Sequence, residues 1–208
     1  NAVSDKDEND TDLEQFLLEY SYEAQQTGFI QPYADSPLDD EQVGEEVYIS
    51  MADKAEKYCW FMTPYLIITD EMTHALCLAA KRGVDVRIIT PGIPDKKMIY
   101  NITRSFYHGL VKHGVRIYEW TPGFCHAKMS VADDCMATCG TINLDYRSLY
   151  HHFENGCFMA DCQAVLDIRN DLAATMDECR EVTEQYSTGR SAYLRLGQLF
   201  MRLFAGLL

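Results

Sequence analysis

His126 and Lys128 stand one residue apart, Asp133 follows after four more residues, and Gly140-Thr141-Ile142-Asn143 follows after a further six. The pattern H-x-K-x4-D-x6-G-T-x-N occurs once in the 208 residues. Its residue types suit chemistry at a phosphodiester. A histidine can attack phosphorus or protonate a leaving alcohol. A lysine is a point charge for phosphate oxygens, and the Thr141 hydroxyl and Asn143 amide can donate hydrogen bonds to them. Side chains alternate along a strand, so a strand beginning at Cys125 would put His126 and Lys128 on one face and turn small Ala127 to the other. Gly140-Thr141 would then return the chain to the same spot. A bare H-x-K is ordinarily a strand histidine beside a surface cation, and each further fixed position weighs against that reading.

The elements that must position these residues alternate along the chain. Asp39 or Asp40 can cap a helix from about residue 41 to 56, with Val43, Val47 and Met51 as its apolar stripe. Tyr58–Met62 is a dense apolar run closed by Thr63-Pro64, the pattern of a buried strand. A helix is expected from Thr69 or Asp70 to Gly83, a strand over 84–90, a helix over 96–113 and a strand over 115–119. After the motif strand come strands over 135–139 and 156–160, then a helix over 162–180. The alternation predicts an α/β fold, a mainly parallel or mixed sheet with helices layered on it. Residues 28–40, with Gly28, Pro32 and Pro37, read as a loop. Three segments result: an acidic linker over 1–37, the α/β domain over 38–187 and an amphipathic tail over 188–208. Leu13, Phe16, Leu17 and Tyr20 give the first segment a short helical stripe.

The formal charge of −14 is uneven. Residues 1–56 hold 16 acids and two lysines, whereas residues 57–208 hold 16 acids and 16 bases. Neither part has the basic excess of a general nucleic-acid binder. The eight cysteines include no Cys-x2-Cys pair, which gives a zinc site little support; buried free thiols in a reducing compartment are expected. No apolar run reaches 18 residues, and the start at Asn1 reads as that of a processed chain or a fragment. In the tail, Leu196, Leu199, Phe200, Leu203, Phe204 and Leu207 follow helical spacing. Such a helix suits either a membrane interface or the surface of another domain.

The signature resembles that of the phospholipase D superfamily, H-x-K-x4-D-x6-G-[ST]-x-N. Over about residues 28–208 the chain is similar to the C-terminal half of a bacterial cardiolipin synthase. This closer likeness is carried by Gly28-Phe29-Ile30-Gln31-Pro32-Tyr33, Asp35-Ser36-Pro37-Leu38-Asp39, Thr63-Pro64-Tyr65, Arg82-Gly83-Val84-Asp85-Val86-Arg87, Pro94-Asp95-Lys96-Lys97, Pro122-Gly123-Phe124-Cys125-His126 and Asn143-Leu144-Asp145-Tyr146-Arg147-Ser148. The resemblance implies a mixed sheet flanked by helices on both faces, forming one half of a pseudo-twofold pair. It makes His126 the motif histidine, Lys128 and Asn143 phosphate ligands, and Thr141 a substitute for the commoner serine. Glu154 fits the carboxylate that orients the histidine, as Asp does in a Ser-His-Asp triad. Asp133 counts with the site as the third signature position. Seven residues of extended strand exceed about 20 Å, however, so contact with His126 needs a turn and a structural role is expected. Arg147 can serve an ion pair or a headgroup.

The family's site uses two such motifs, one histidine as nucleophile and one as acid, and this chain holds one motif. A missing N-terminal half or a second copy of the chain must supply the other. The leading expectation is transphosphatidylation. Two phosphatidylglycerol molecules give cardiolipin and glycerol through a phosphatidyl-histidine, with no metal or organic cofactor, at the cytoplasmic face of a bacterial membrane. Anionic membrane lipid is the expected partner, and nucleic acid is not. The alternatives are a phospholipase or nuclease with water as acceptor, and an inactive half-domain that binds anionic lipid.

Overall fold

The computed structural model describes residue 23, residues 27–38 and residues 41–188. Ten strands and six helices follow in the order β1 (Phe29–Asp35), α1 (Val43–Lys54), β2 (Tyr58–Met62), β3 (Leu66–Ile67), α2 (Asp70–Lys81), β4 (Asp85–Pro91), α3 (Lys97–Val111), β5 (Arg116–Trp120), β6 (Met129–Ala132), β7 (Met136–Gly140), β8 (Leu144–Asp145), α4 (Tyr146–His151), β9 (Glu154–Ala160), α5 (Gln163–Asp177), β10 (Cys179–Glu181) and α6 (Thr183–Ser187). Eight strands form one mixed sheet in the order β1-β9-β7-β6-β2-β4-β5-β10. The β2-β4-β5 stretch is parallel and the remaining pairs are antiparallel. Each parallel crossover carries a helix, α2 or α3, because parallel neighbours need a long connection.

Both faces of the sheet are covered. Phe61, Val86, Ile88 and Ile117 point to the core shared with α1, α2 and α3, and Ile89, Val131, Ala137 and Met159 point to the core shared with α5. Strands buried on both faces read as continuous apolar runs, which is why 58–62 and 84–90 were legible as strands. Thr69 caps α2, its hydroxyl accepting from the Met72 N–H at 3.0 Å, and Gly83 follows the helix at φ +96°. On α1 the inward face is Tyr48, Met51 and Ala52, so Val43 and Val47 lie to one side of the expected stripe.

The loop expected over 28–40 is instead largely strand β1, paired antiparallel with β9 from Phe29–Ala160 to Asp35–Glu154. β1 is an edge strand, where a proline such as Pro32 can turn its missing N–H to solvent. The sheet thus takes in residues that the sequence reading assigned to the 1–37 linker. The helical stripe at 13–20 and the tail from Tyr193 lie outside the described residues. All eight cysteines are free, but only Cys59, Cys77 and Cys125 are buried and Cys139 is exposed, so the expectation of buried thiols holds for a minority. Among the described residues no helix is long and apolar enough to cross a membrane.

Candidate active site

The spacing of the signature is the geometry of a hairpin. The four residues between Lys128 and Asp133 are strand β6, Asp133-Asp134 is the turn, and β7 runs back to Gly140. Asp133 and Asp134 have φ of 52° and 60°, and the Cys135 N–H donates to the Ala132 carbonyl at 3.1 Å. Two successive left-handed residues are the mark of a type I′ turn, and aspartate tolerates that conformation better than most residues. At the hairpin's open end the Gly140 N–H donates to the Lys128 carbonyl at 3.3 Å, which brings H-x-K and G-T-x-N together. Residue 140 must be glycine, since a Cβ there would lie 2.4 Å from the Asn155 carbonyl oxygen.

His126 and Lys128 are not on a strand, because β6 begins at Met129. They meet for another reason: the lysine side chain folds back. Lys128 Nζ donates to the His126 carbonyl at 2.8 Å and lies 3.0 Å and 3.2 Å from the two ring nitrogens, so whichever nitrogen lacks hydrogen can accept from it. His126 is exposed while Lys128 is only 9% exposed. Burial pushes the Lys128 ammonium below its ordinary pKa, and the negative charges of Glu154 and Asp145 partly oppose this. Burial thus disfavours the Lys128 charge, and among the described residues no carboxylate is in direct contact with it, so an incoming phosphate would supply the counter-charge it lacks.

Asn143 is placed by elements too short to read from sequence. β3 and β8 pair in parallel, Leu66 with Leu144 and Ile67 with Asp145. Thr63 Oγ1 accepts from the Leu144 N–H at 3.1 Å, and Tyr48 donates to the Ile142 carbonyl at 2.8 Å. Asp145 caps α4, accepting from the Ser148 N–H at 2.9 Å. Burial raises the Asp145 pKa, against hydrogen bonds from the Ser148 N–H and the Asn143 side chain that lower it. Among the described residues the Asn143 Oδ1 is buried without a partner. Nδ2 carries two hydrogens, so donating one to Asp145 leaves a second for a ligand oxygen.

Glu154 sits beside this group but is committed elsewhere. One carboxylate oxygen accepts from Ser148 Oγ at 2.7 Å and the other from Thr141 Oγ1. Ser148 Oγ also accepts from the Asn143 N–H at 2.9 Å, so one hydroxyl joins Glu154 to the backbone of Asn143. His152 Nδ1 lies 3.6 Å from Glu154, and Arg147 Nε donates to His152 Nε2 at 3.1 Å. Arginine only donates, so Nε2 is bare and the His152 hydrogen sits on Nδ1, facing Glu154. Glu154, expected to orient His126 directly, thus reaches the site through Thr141 and Ser148, and the Thr141 hydroxyl donates to Glu154 where it was expected to donate to phosphate. Sequence reasoning assigned no role to Ser148, Asp145 or His152. The N-cap pattern Asp145-x2-Ser148 was the available signal.

Asp133 lies at the other end of β6, five residues and roughly 16 Å of extended chain from Lys128 at about 3.3 Å per residue. Its carboxylate accepts from the N–H groups of Glu56, Lys57 and Tyr58 at 2.7, 2.9 and 2.8 Å. It belongs to the entry of β2 and is not brought to His126. Among the described residues no group of three or more His, Cys, Asp or Glu side chains converges as metal ligands would.

A mixed sheet with His126, Lys128, Thr141 and Asn143 gathered at one hairpin end defines a phospholipase D-like domain. Residues 48–176 match the family described as "Cardiolipin synthase, PLD-like domain", more than half of the chain, and the protein belongs to that family. It is 47% identical over 199 residues to an uncharacterised protein of Streptococcus mutans, covering 96% of this chain and 43% of that protein. A cardiolipin synthase of Halalkalibacterium halodurans is 32% identical over 181 residues, with 87% of this chain and 36% of that enzyme covered. The chain therefore spans about two-fifths of the length of these relatives. Two solved structures share the fold. The phospholipase D family member Nuc of Salmonella typhimurium superposes with a TM-score of 0.63 at 16% identity, over 74% of this chain and 98% of that one. The phosphatidylserine synthase of Haemophilus influenzae gives 0.66 at 16%, over 86% and 47%.

Proposed function

We propose that this chain supplies one half-site of a phosphatidyltransferase that makes cardiolipin and glycerol from two molecules of phosphatidylglycerol. The observation that carries the reading is the buried Lys128 ammonium against the His126 ring, at the hairpin end that also holds Asn143, in a family whose named relatives include cardiolipin synthases. A second motif-bearing half, from the rest of a longer protein or from another copy, completes the site. One histidine nitrogen bonds to phosphorus as the bond to the glycerol oxygen breaks, and the other histidine gives that oxygen its proton. The second histidine then takes the proton from a hydroxyl of the next phosphatidylglycerol. That oxygen displaces nitrogen from phosphorus, and cardiolipin leaves. His126 is one of these two histidines, the nucleophile or the acid. Lys128 and Asn143 neutralise and orient the phosphate as charge builds on its oxygens, and Ser148 and Thr141 hold Glu154 behind them. The cytoplasmic face of the membrane is the proposed place of action.

The test is to incubate the protein, alone and together with a second motif-bearing half, with phosphatidylglycerol and to analyse the lipids. Cardiolipin and glycerol formed only with intact His126 support the reading. Phosphatidic acid in place of cardiolipin would make water the acceptor. Lipid binding without product in either combination would make this an inert lipid-binding domain.

A further inference from the structure

Eight large apolar side chains are exposed among the described residues, and five of them, Leu38, Ile93, Met98, Phe124 and Phe153, lie at the end of the sheet that carries His126. Leu38 follows Asp35, the end of β1 that pairs with Glu154. Ile93 and Met98 flank the exit of β4 into α3. The Phe124 ring is 6.0 Å from the His126 ring, and Phe153 precedes Glu154. The other three are scattered, with Phe29 and Ile30 at the far end of β1 and Leu78 on α2. Single exposed apolar residues need no account, but a ring of them around one site does.

The rim is also basic where it projects most. Residues 93–98, Ile-Pro-Asp-Lys-Lys-Met, are all exposed. Asp95 accepts from the Tyr65 hydroxyl and the Lys96 N–H at 2.6 Å each, and the two lysines stand between two apolar side chains. Arg147 is exposed on the neighbouring α4. Apolar tips among cations are the composition of a surface that enters the headgroup–acyl boundary of an anionic bilayer, where inserted side chains reach about 5–10 Å deep.

We propose that this rim docks on an anionic lipid bilayer, with Ile93 and Met98 inserted, Lys96 and Lys97 at the headgroups, and the His126 site held at the depth of the lipid phosphates. The inference rests on reading the site as one for phospholipid. It is tested with vesicles of phosphatidylglycerol or of phosphatidylcholine, by co-sedimentation of the protein and its Ile93→Ser/Met98→Ser, Lys96→Gln/Lys97→Gln and Leu78→Ser variants. All five positions are exposed, and unchanged melting temperatures check that the variants fold. Ile93→Ser/Met98→Ser should weaken binding to phosphatidylglycerol vesicles about tenfold or more, as lost apolar burial predicts. Lys96→Gln/Lys97→Gln should lose the preference for phosphatidylglycerol over phosphatidylcholine, and Leu78→Ser should bind like the parent.

Undiminished binding by Ile93→Ser/Met98→Ser, or an equal loss in Leu78→Ser, would overturn the proposal. So would lipid-free self-association of the parent that this double variant abolishes, because the rim would then be covered by protein. Turnover in detergent micelles separates this test from that of the reaction. Ile93→Ser/Met98→Ser should turn over micellar phosphatidylglycerol like the parent while failing on vesicles. A protein that docks through the rim but turns over neither presentation sinks the proposed reaction and leaves the docking surface standing.

Discussion

The two ends of the β6–β7 hairpin come from one sequence signature and do opposite work. At the turn, Asp133 spends its carboxylate on three backbone N–H groups at the start of β2. At the open end, the His126 ring is exposed, the Lys128 ammonium is buried beside it, and Asn143 Oδ1 has no partner among the described residues. One end is satisfied and the other keeps groups in reserve. A satisfied polar group contributes stability, whereas an unsatisfied buried one costs it and persists where a ligand can complete it. The spacing of a signature therefore does not imply that all its residues meet; here x4 is a strand that keeps two of them apart.

His126→Ala breaks the comparison at the open end. The proposed chemistry requires a loss of turnover of about a thousandfold or more. The ring is exposed, so the thermal midpoint should stay within about 1 °C. Radiolabelled phosphatidylglycerol and a calorimetric scan measure the two. Residual turnover within tenfold of the parent would remove His126 from the mechanism.

Asp133→Ala breaks the other end and should give the reverse signature. Three backbone donors lose a charged acceptor, and alanine is left at a positive φ that it disfavours. The partly exposed setting limits the cost to about 2–3 kcal/mol, or roughly 5–10 °C in the midpoint. Turnover per folded molecule should remain within about threefold. Asp133→Asn, which tolerates the backbone and keeps one acceptor oxygen, should recover part of the loss. A large fall in kcat at full stability would return Asp133 to the catalytic group.

The residues of the His126 end were easier to pick out from the sequence than the elements that support them. Long apolar runs made β2 and β4 legible, and capping by Thr69 marked α2, because those signals are local. β1 was hidden by Pro32, which only its edge position tolerates. β3, β8 and α4 were invisible for a different reason: strands of two residues have no period, and contacts such as Thr63 to Leu144, 81 positions apart, hold them in place. His126, Lys128, Thr141 and Asn143 could be picked out by spacing alone. Their relations could not, since the fold-back of Lys128 and the commitment of Glu154 to Thr141 and Ser148 depend on side-chain placement.

Ser148→Ala sharpens the boundary between the two kinds of residue, since Ser148 is 1% exposed and touches both Glu154 and the Asn143 backbone. Its removal leaves a backbone N–H without its hydroxyl partner and should cost about 1–2 kcal/mol. Loosening Asn143 should also reduce kcat by about tenfold to a hundredfold, as small misplacements of a phosphate ligand do. Steady-state kinetics with a urea titration would show both. A stability loss with unchanged kcat would make Ser148 a packing residue only.

The smallest expected effect concerns Asp145, buried against Ser148 and Asn143. Its folded pKa is raised above the ordinary 3.8, chiefly by burial. In the window between the two values the folded protein holds more protons than the unfolded chain, so stability falls as pH rises through it. The contribution of this group is complete below the window and lost above it. Asp145→Asn keeps the oxygen that caps α4 and cannot titrate. Relative to that variant, the parent should therefore lose stability on going from acid toward neutral pH, and the difference in urea midpoints should shift in the variant's favour. A parent that instead gained on the variant over this range would mean that the hydrogen bonds from Ser148 and Asn143 outweigh burial. Asp145 would then belong with Asp133 among the charges that the backbone has fully satisfied.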